Sequence, residues 1–174
     1  MDLPTLYAQC APNVAPQTLA AIVRVESGGK PWAIGVNGDY VLPRQPQSKD
    51  EAVREANRLI ALGYNIDMGM MQINVKNLPM LNLSVDQVFD PCTNITAGAQ
   101  ILQNFYLKSA KSIGQGQTSL HRAISAYNTG NFSKGFANGY VAKVTQQQTN
   151  SYTRFPASTT EAMKSAITVS WQAP

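Results

Sequence analysis

The sequence predicts an α+β protein, predominantly helical with a small β element, and three observations carry that prediction. Apolar residues recur at helical spacing in stretches that begin near Pro16, Ser48, Pro91 and Ser119. Glycine and proline punctuation of the kind that starts and stops helices separates them. One intervening segment, "YNIDMGMMQINV", reads instead as a short extended run that turns at Gly69 into a tight, apolar-lined stretch.

Pro16 suits the first turn of a helix in which Leu19, Ile22 and Val23 share one apolar face, and Gly28-Gly29 end it after Ser27. Residues 31–47 hold Pro31, Gly35, Gly38, Pro43 and Pro46, which predicts a loop with a short strand around Trp32 to Val36. Ser48-Lys49-Asp50-Glu51 spells a capping box. It opens a helix through Val53, Ala56, Leu59 and Ile60 that Gly63 closes. After Pro79 the chain is irregular, with Ser84 capping a short turn through Phe89. The best helix starts after Pro91, carries Ile95, Ala99, Leu102, Phe105 and Tyr106 on its inner face, and stops before Gly114-Gln115-Gly116. Another spans about Ser119 to Tyr127, stopped by Asn128-Thr129-Gly130, and a last one runs from Tyr140 to about Gln147. From Thr149 the composition turns to Ser, Thr, Ala and Pro. Residues 1–149 therefore read as one folded domain, and residues 150–174 as a loosely packed tail or linker with a helical turn near Glu161.

At 174 residues, 44% hydrophobic and 14% charged, the chain can bury a sizeable core and is not disordered over most of its length. No apolar run approaches membrane-spanning length. The net charge of +4 comes from scattered Lys and Arg, which disfavours nucleic acid as a partner and suits weak attraction to an anionic polymer. One histidine, His121, and two distant cysteines leave no Cys/His zinc pattern, so neither metal nor cofactor is expected. Cys10 and Cys92 stand open between a disulfide and two buried thiols. A bridge would close about 80 residues and add at most roughly 4 kcal/mol. "MDLPTLYAQC" lacks a basic stretch followed by an apolar one, which fits either an internal protein or one whose export signal has been removed.

Three constellations can carry chemistry. Glu26 falls four residues after Ile22, on a face where another hydrophobe is due. It either reaches out to solvent at the helix end or sits against apolar neighbours, where desolvation raises a carboxyl pKa and keeps a proton available. In "DMGMMQIN", Met70, Met71 and Ile73 are core filler, while Gln72 and Asn74, two apart, would share one face of an extended segment. Such amides require a partner, either a structural hydrogen bond or a polar substrate. In "SAYNTGN", Tyr127 and Asn128 at a helix end form a C-terminal cap or present a phenol and an amide to a sugar.

Taken in order, "VESGG", "GMMQIN" and "AYNTGN" resemble the three successive motifs of the soluble lytic transglycosylase family, which has the lysozyme-like fold. "WAIGVNG", "RQPQS", "EAVREANRLIALGYNID" and "FDPCTNITAGAQIL" are similar to the subgroup associated with type IV secretion and conjugation systems. The resemblance covers about residues 5–148. It implies Glu26 as the catalytic acid and Ser27 as the adjacent hydroxyl that helps place it. Gln72 and Asn74 would line the glycan cleft beside the small β element, Tyr127 and Asn128 would face the reacting sugar, and Tyr140 in "GYVAKV" would stand near the acid. It further implies peptidoglycan glycan strands as substrate, export to the periplasm or cell envelope, components of an envelope-spanning secretion system as partners, and a Cys10–Cys92 disulfide. A monomer is expected.

Asp67 departs from this pattern. "D-x-G-x-x-Q-I-N" resembles animal lysozymes, where that acid is the second catalytic carboxylate, whereas many lytic transglycosylases lack one there. A polar turn residue is the plainer account of it. Three readings follow: a transglycosylase working through Glu26 alone, a hydrolytic muramidase using Glu26 with Asp67, and a peptidoglycan-binding assembly factor without turnover. A cytosolic helical interaction module is the remaining, blander one.

Overall fold

In the computed structural model the chain is described over residues 2–152, with side chains to residue 148. Its elements in order are α1 (Leu3–Cys10), α2 (Pro16–Ser27), β1 (Ile34–Val36), α3 (Lys49–Ala61), β2 (Ile66–Met68) and β3 (Ile73–Asn74). A 3-10 turn (Val75–Asn77) follows, then α4 (Leu78–Leu81), α5 (Val85–Val88), α6 (Pro91–Ile113), α7 (Gln117–Thr129), α8 (Lys134–Ala137) and α9 (Tyr140–Tyr152). The class is α+β and mostly helical, as expected. α1, α4 and α8 lie outside the expected helices, α4 in the stretch read as irregular after Pro79, and α9 continues beyond Gln147. The expected tail, including the turn near Glu161, lies outside the described residues apart from the helical segment ending at Tyr152.

Residues 26–98 form one compact unit. Its sheet has β2 at the centre, antiparallel to both neighbours, with Ile34 opposite Met68, Gly35 opposite Asp67, and Asp67 opposite Asn74. Strand alternation sends Ile66, Met68 and Ile73 into the core, each at most 1% exposed, and turns Gly35, Asp67 and Asn74 to the other face. α3 brings Ala52, Ala56 and Leu59 to the same core at helical spacing. Burial of each large aliphatic side chain contributes about 1.5–3 kcal/mol. Ser48 caps α3 by accepting from the Glu51 N–H, but the reciprocal half of the expected capping box is absent. Glu51 accepts instead from the Gln47 N–H at 2.8 Å and pairs with Arg44, which draws its carboxylate upstream of Ser48. The complete box occurs at α5, where the Ser84 and Gln87 side chains each bond the other's backbone.

Among the described residues, those up to Val25 and from Ala99 to Tyr152 form the second unit. α7 packs against α8 and α9. Ser125 of α7 is fully buried, accepting from the Gly135 N–H at 2.8 Å and donating to the Asn131 carbonyl at 2.7 Å. The backbones approach so closely there that a Cβ on Gly135 would stand 2.6 Å from the Ser125 Cα. Gln148 of α9 donates to the Thr18 hydroxyl of α2 at 3.0 Å. Both cysteines, Cys10 ending α1 and Cys92 in the first turn of α6, are disulfide-bonded. No helix among the described residues is long and apolar enough to cross a membrane.

Candidate active site

Glu26 occupies the last turn of α2 and is half-buried, four residues beyond the buried Ile22. The helix ends at Ser27 because Gly28 and Gly29 both take positive φ, 64° and 85°, which L side chains rarely adopt. The Ser27 hydroxyl accepts from the Gly29 N–H at 3.1 Å and donates to the Met70 carbonyl at 2.8 Å. The first and second motifs are thereby tied together across 43 residues, and the residue that makes the tie adjoins the glutamate.

The second motif is a turn built on close approaches. Gly69 has φ 77°, and a Cβ there would stand 2.2 Å from the Asn94 amide nitrogen. Asn94, 1% exposed, accepts from the Met71 N–H at 2.7 Å and donates to the Met68 and Val88 carbonyls at 3.0 and 2.8 Å. Met71 lies against α6 at Gly98, where a Cβ would stand 2.5 Å from its sulfur. Met70, Met71 and Ile73 are core, as expected.

Gln72 reaches the face of Asp67 and Asn74 from a turn rather than along a strand. It takes φ 49° and closes the turn before β3, so strand alternation does not place it with Asn74. Its amide donates to the Gly69 carbonyl at 2.9 Å and to the Ala33 carbonyl at 3.2 Å. Its oxygen lies 2.6 Å from where a Cβ of Gly35 would be, so only glycine leaves it room. Asn74 donates instead to one oxygen of Asp67 at 2.7 Å, while Asn37 donates to the other at 2.8 Å. Both Asp67 oxygens thus accept amide N–H groups.

The third motif belongs to the other unit. Tyr127, half-buried, and Asn128, exposed, lie near the end of α7, which Gly130 caps with φ 68°. Asn138 joins this end to α9: its amide donates to Asn128 at 3.0 Å, and its oxygen accepts from the Tyr140 N–H at 3.0 Å. Tyr140 is 7% exposed. Within each unit, then, the structure connects predicted residues: Ser27 to the turn that contains Gln72, Asp67 to Asn74, and Asn128 to Tyr140 through Asn138.

Asn37, Asn94 and Asn138 went unrecognised in the sequence. Asn138-Gly139 before an apolar helix start carries a readable turn-and-cap signal. Asn94 offers less, since a single asparagine in a helix does not announce that it serves a turn 23 residues away.

Residues 4–150 match the family model described as the transglycosylase SLT domain. The chain is 48% identical over 145 residues to "Type IV secretion system protein virB1" of Brucella abortus biovar 1 (strain 9-941), covering 80% of this chain and 60% of that protein. It is 42% identical over 138 residues to "Protein virB1" of Agrobacterium fabrum, covering 78% of this chain and 55% of that one. It therefore spans less than two thirds of the length of these curated relatives. No solved structure matches the chain. The matched span contains all three motifs, the helical units and the small sheet, and on that ground the chain belongs to the transglycosylase SLT family, with its lysozyme-like α+β fold.

Proposed function

We propose that the chain is a peptidoglycan lytic transglycosylase that cuts the β-1,4 bond between N-acetylmuramic acid and N-acetylglucosamine. Protonated Glu26 donates to the glycosidic oxygen as its bond to the muramyl C1 breaks, with positive character spreading over C1 and the ring oxygen. The muramyl N-acetyl group assists at C1. The Glu26 carboxylate then takes the proton of the C6 hydroxyl while O6 bonds to C1, closing a 1,6-anhydro ring. One C–O bond is broken, one is formed, no water is consumed, and Glu26 ends protonated again.

The observation that favours this reading is that each Asp67 oxygen accepts an amide, from Asn37 or Asn74. A one-acid reaction does not call on that carboxyl, and takes its proton from Glu26, whose helix is anchored at the next residue by the Ser27–Met70 bond. Asp67 then acts as a positioning residue that aligns Asn74, and Gln72, Tyr127, Asn128 and Tyr140 are assigned to the glycan. The name of the Brucella relative, a type IV secretion system protein, supports assigning the cleavage to local opening of the wall in the periplasm, for an envelope-spanning secretion apparatus. Residues 1–149 form the catalytic domain in this reading, and residues 150–174 a tail.

Clearing of purified sacculi tests the assignment. Glu26→Gln lowers the rate by about 100- to 10,000-fold with unchanged melting, the span of a lost general acid, while Asp67→Asn keeps a larger share of activity. Substantial cleavage by Glu26→Gln overturns it. Equal losses in both variants favour the hydrolytic reading, and a wild type that binds sacculi without cutting them favours the assembly factor.

A further inference from the structure

Beside the second motif lies a pocket of about 340 Å³ lined by Lys30, Pro31, Trp32, Ala33, Gln45, Pro46 and Gln47. It is built by side-chain bonds that replace a strand. Gln45 accepts from the Ile34 N–H at 2.8 Å and donates to the Ile34 carbonyl at 2.9 Å, pinning the 42–47 loop along β1. Gln47 donates to the Gln45 carbonyl at 2.9 Å, and its own N–H is held by Glu51, which anchors the loop to α3. Pro46 is buried beneath, Trp32 is half-buried, and Lys30 and Gln47 are exposed at the rim. Lys30 has no ion pair among the described residues.

The pocket adjoins the turn of the second motif. The Ala33 carbonyl accepts both the Gln72 amide and the Gly69 N–H, so the residue after Trp32 is held by the turn of the second motif. A volume near the lower end of the roughly 300–1,000 Å³ usual for ligand sites suits one ring rather than a long segment. An indole flanked by prolines gives an apolar plate of pyranose size, and an unpaired ammonium at the edge suits a carboxylate. A neighbouring cavity of about 420 Å³ contains Arg44, Glu51, Arg54, Glu55 and Arg58, and both of its carboxylates already pair with arginines, so it offers no aromatic plate and only the Arg54 guanidinium outside an ion pair.

We propose that the Trp32 pocket is a sugar-binding subsite: one pyranose of the glycan strand stacks on the Trp32 indole, and Lys30 meets a carboxylate carried by the strand, lactyl or stem-peptide. The subsite extends the proposed glycan site and rests on that reading for its biological ligand, but its binding is measurable without turnover. Trp32 and Trp171 are the only tryptophans in the chain, so Trp171→Phe leaves Trp32 as the sole indole reporter. In that background with Glu26→Gln, the probes are chitotetraose, which is neutral, and two acidic glycan preparations, one amidase-stripped and one stem-bearing. All three should shift Trp32 emission saturably. Trp32→Ala should weaken binding of all three by about tenfold or more, measured by calorimetry, with Trp32→Phe recovering part of it. Lys30→Gln should weaken the acidic strands several-fold while sparing chitotetraose. A larger loss with stripped strands identifies the lactyl carboxylate, and a larger loss with stem-bearing strands the peptide's. Unchanged Trp32 emission with a protein that still cuts sacculi overturns the subsite and leaves the transglycosylase reading standing. Saturable emission shifts with a wild type that never cuts sacculi do the reverse.

Discussion

The turn at residues 68–74 and the segment at residues 129–140 both carry candidate site residues, yet they are held by opposite means. The first is fixed from inside: buried Asn94 supplies three bonds, and Gly69 and Gly98 admit side chains where any Cβ would collide. The second is fixed mostly from outside, by exposed amides. Asn131 accepts from the Ser133 N–H and hydroxyl and from the Lys134 N–H, and Asn138 joins Asn128 to Tyr140. Its buried anchors are the contact of Gly135 with Ser125 and the Tyr140 side chain at its far end. Buried polar networks are costly to break because each orphaned group loses both its partner and water, whereas exposed caps fall back on solvent. The first turn should therefore behave as part of the core and the second as an adjustable rim.

The largest expected effect is at Asn94. Asn94→Ala strands the Met71 N–H and the Met68 and Val88 carbonyls, and at about 1–3 kcal/mol per buried orphan it should cost at least about 3 kcal/mol in chemical denaturation. A loss below about 1 kcal/mol would remove the distinction drawn above. Next comes Gly135→Ala, whose new methyl meets backbone rather than a mobile side-chain end. Overpacking of that kind costs about 1–3 kcal/mol, and a neutral result would show that α8 can slide on α7.

The smallest effect is electrostatic. Asp90 accepts from the Thr93 N–H and hydroxyl at the start of α6, each at 2.9 Å, and those bonds, the backbone one foremost, with Lys49 nearby, hold its carboxyl below the usual range. A folded pKa below the unfolded one gives stability that is present above about pH 4 and lost as acid protonates the folded carboxylate. Stability curves of wild type and Asp90→Asn should thus lie apart at neutral pH and draw together as acid protonates the folded carboxylate. A gap that does not change with pH would mean that the charge of Asp90 contributes nothing.

Much of this was legible because it is local. Periodicity and punctuation predict α2, α3 and α6 closely, since Pro16, Ser48, Pro91 and the following glycines act on their own neighbours. α1 and α8 are too short, at eight and four residues, to show a period. Gln72 and Asn74 share the face of Gly35 and Asp67 by another route than alternation: the positive φ of Gln72 places it in the turn before β3, and its side chain reaches back over Gly35. The capping box at Glu51 is only half made: Arg44 and the Gln47 N–H compete for the same carboxylate, and nothing in S-x-x-E reveals them. Among candidate site residues, the motif positions were readable and the amides that orient them were not, because Asn37, Asn94 and Asn138 act across turns or at long range.

The central claim is that one acid, Glu26, serves both halves of the reaction while Asp67 stays committed to Asn37 and Asn74. Mass spectrometry of the fragments released from peptidoglycan by the wild-type protein tests it most directly. Muramyl ends closed as 1,6-anhydro rings, lighter by one water than hydrolytic ends, are the expected products. Reducing muramyl ends that retain that water would contradict it and move Asp67 into the reaction.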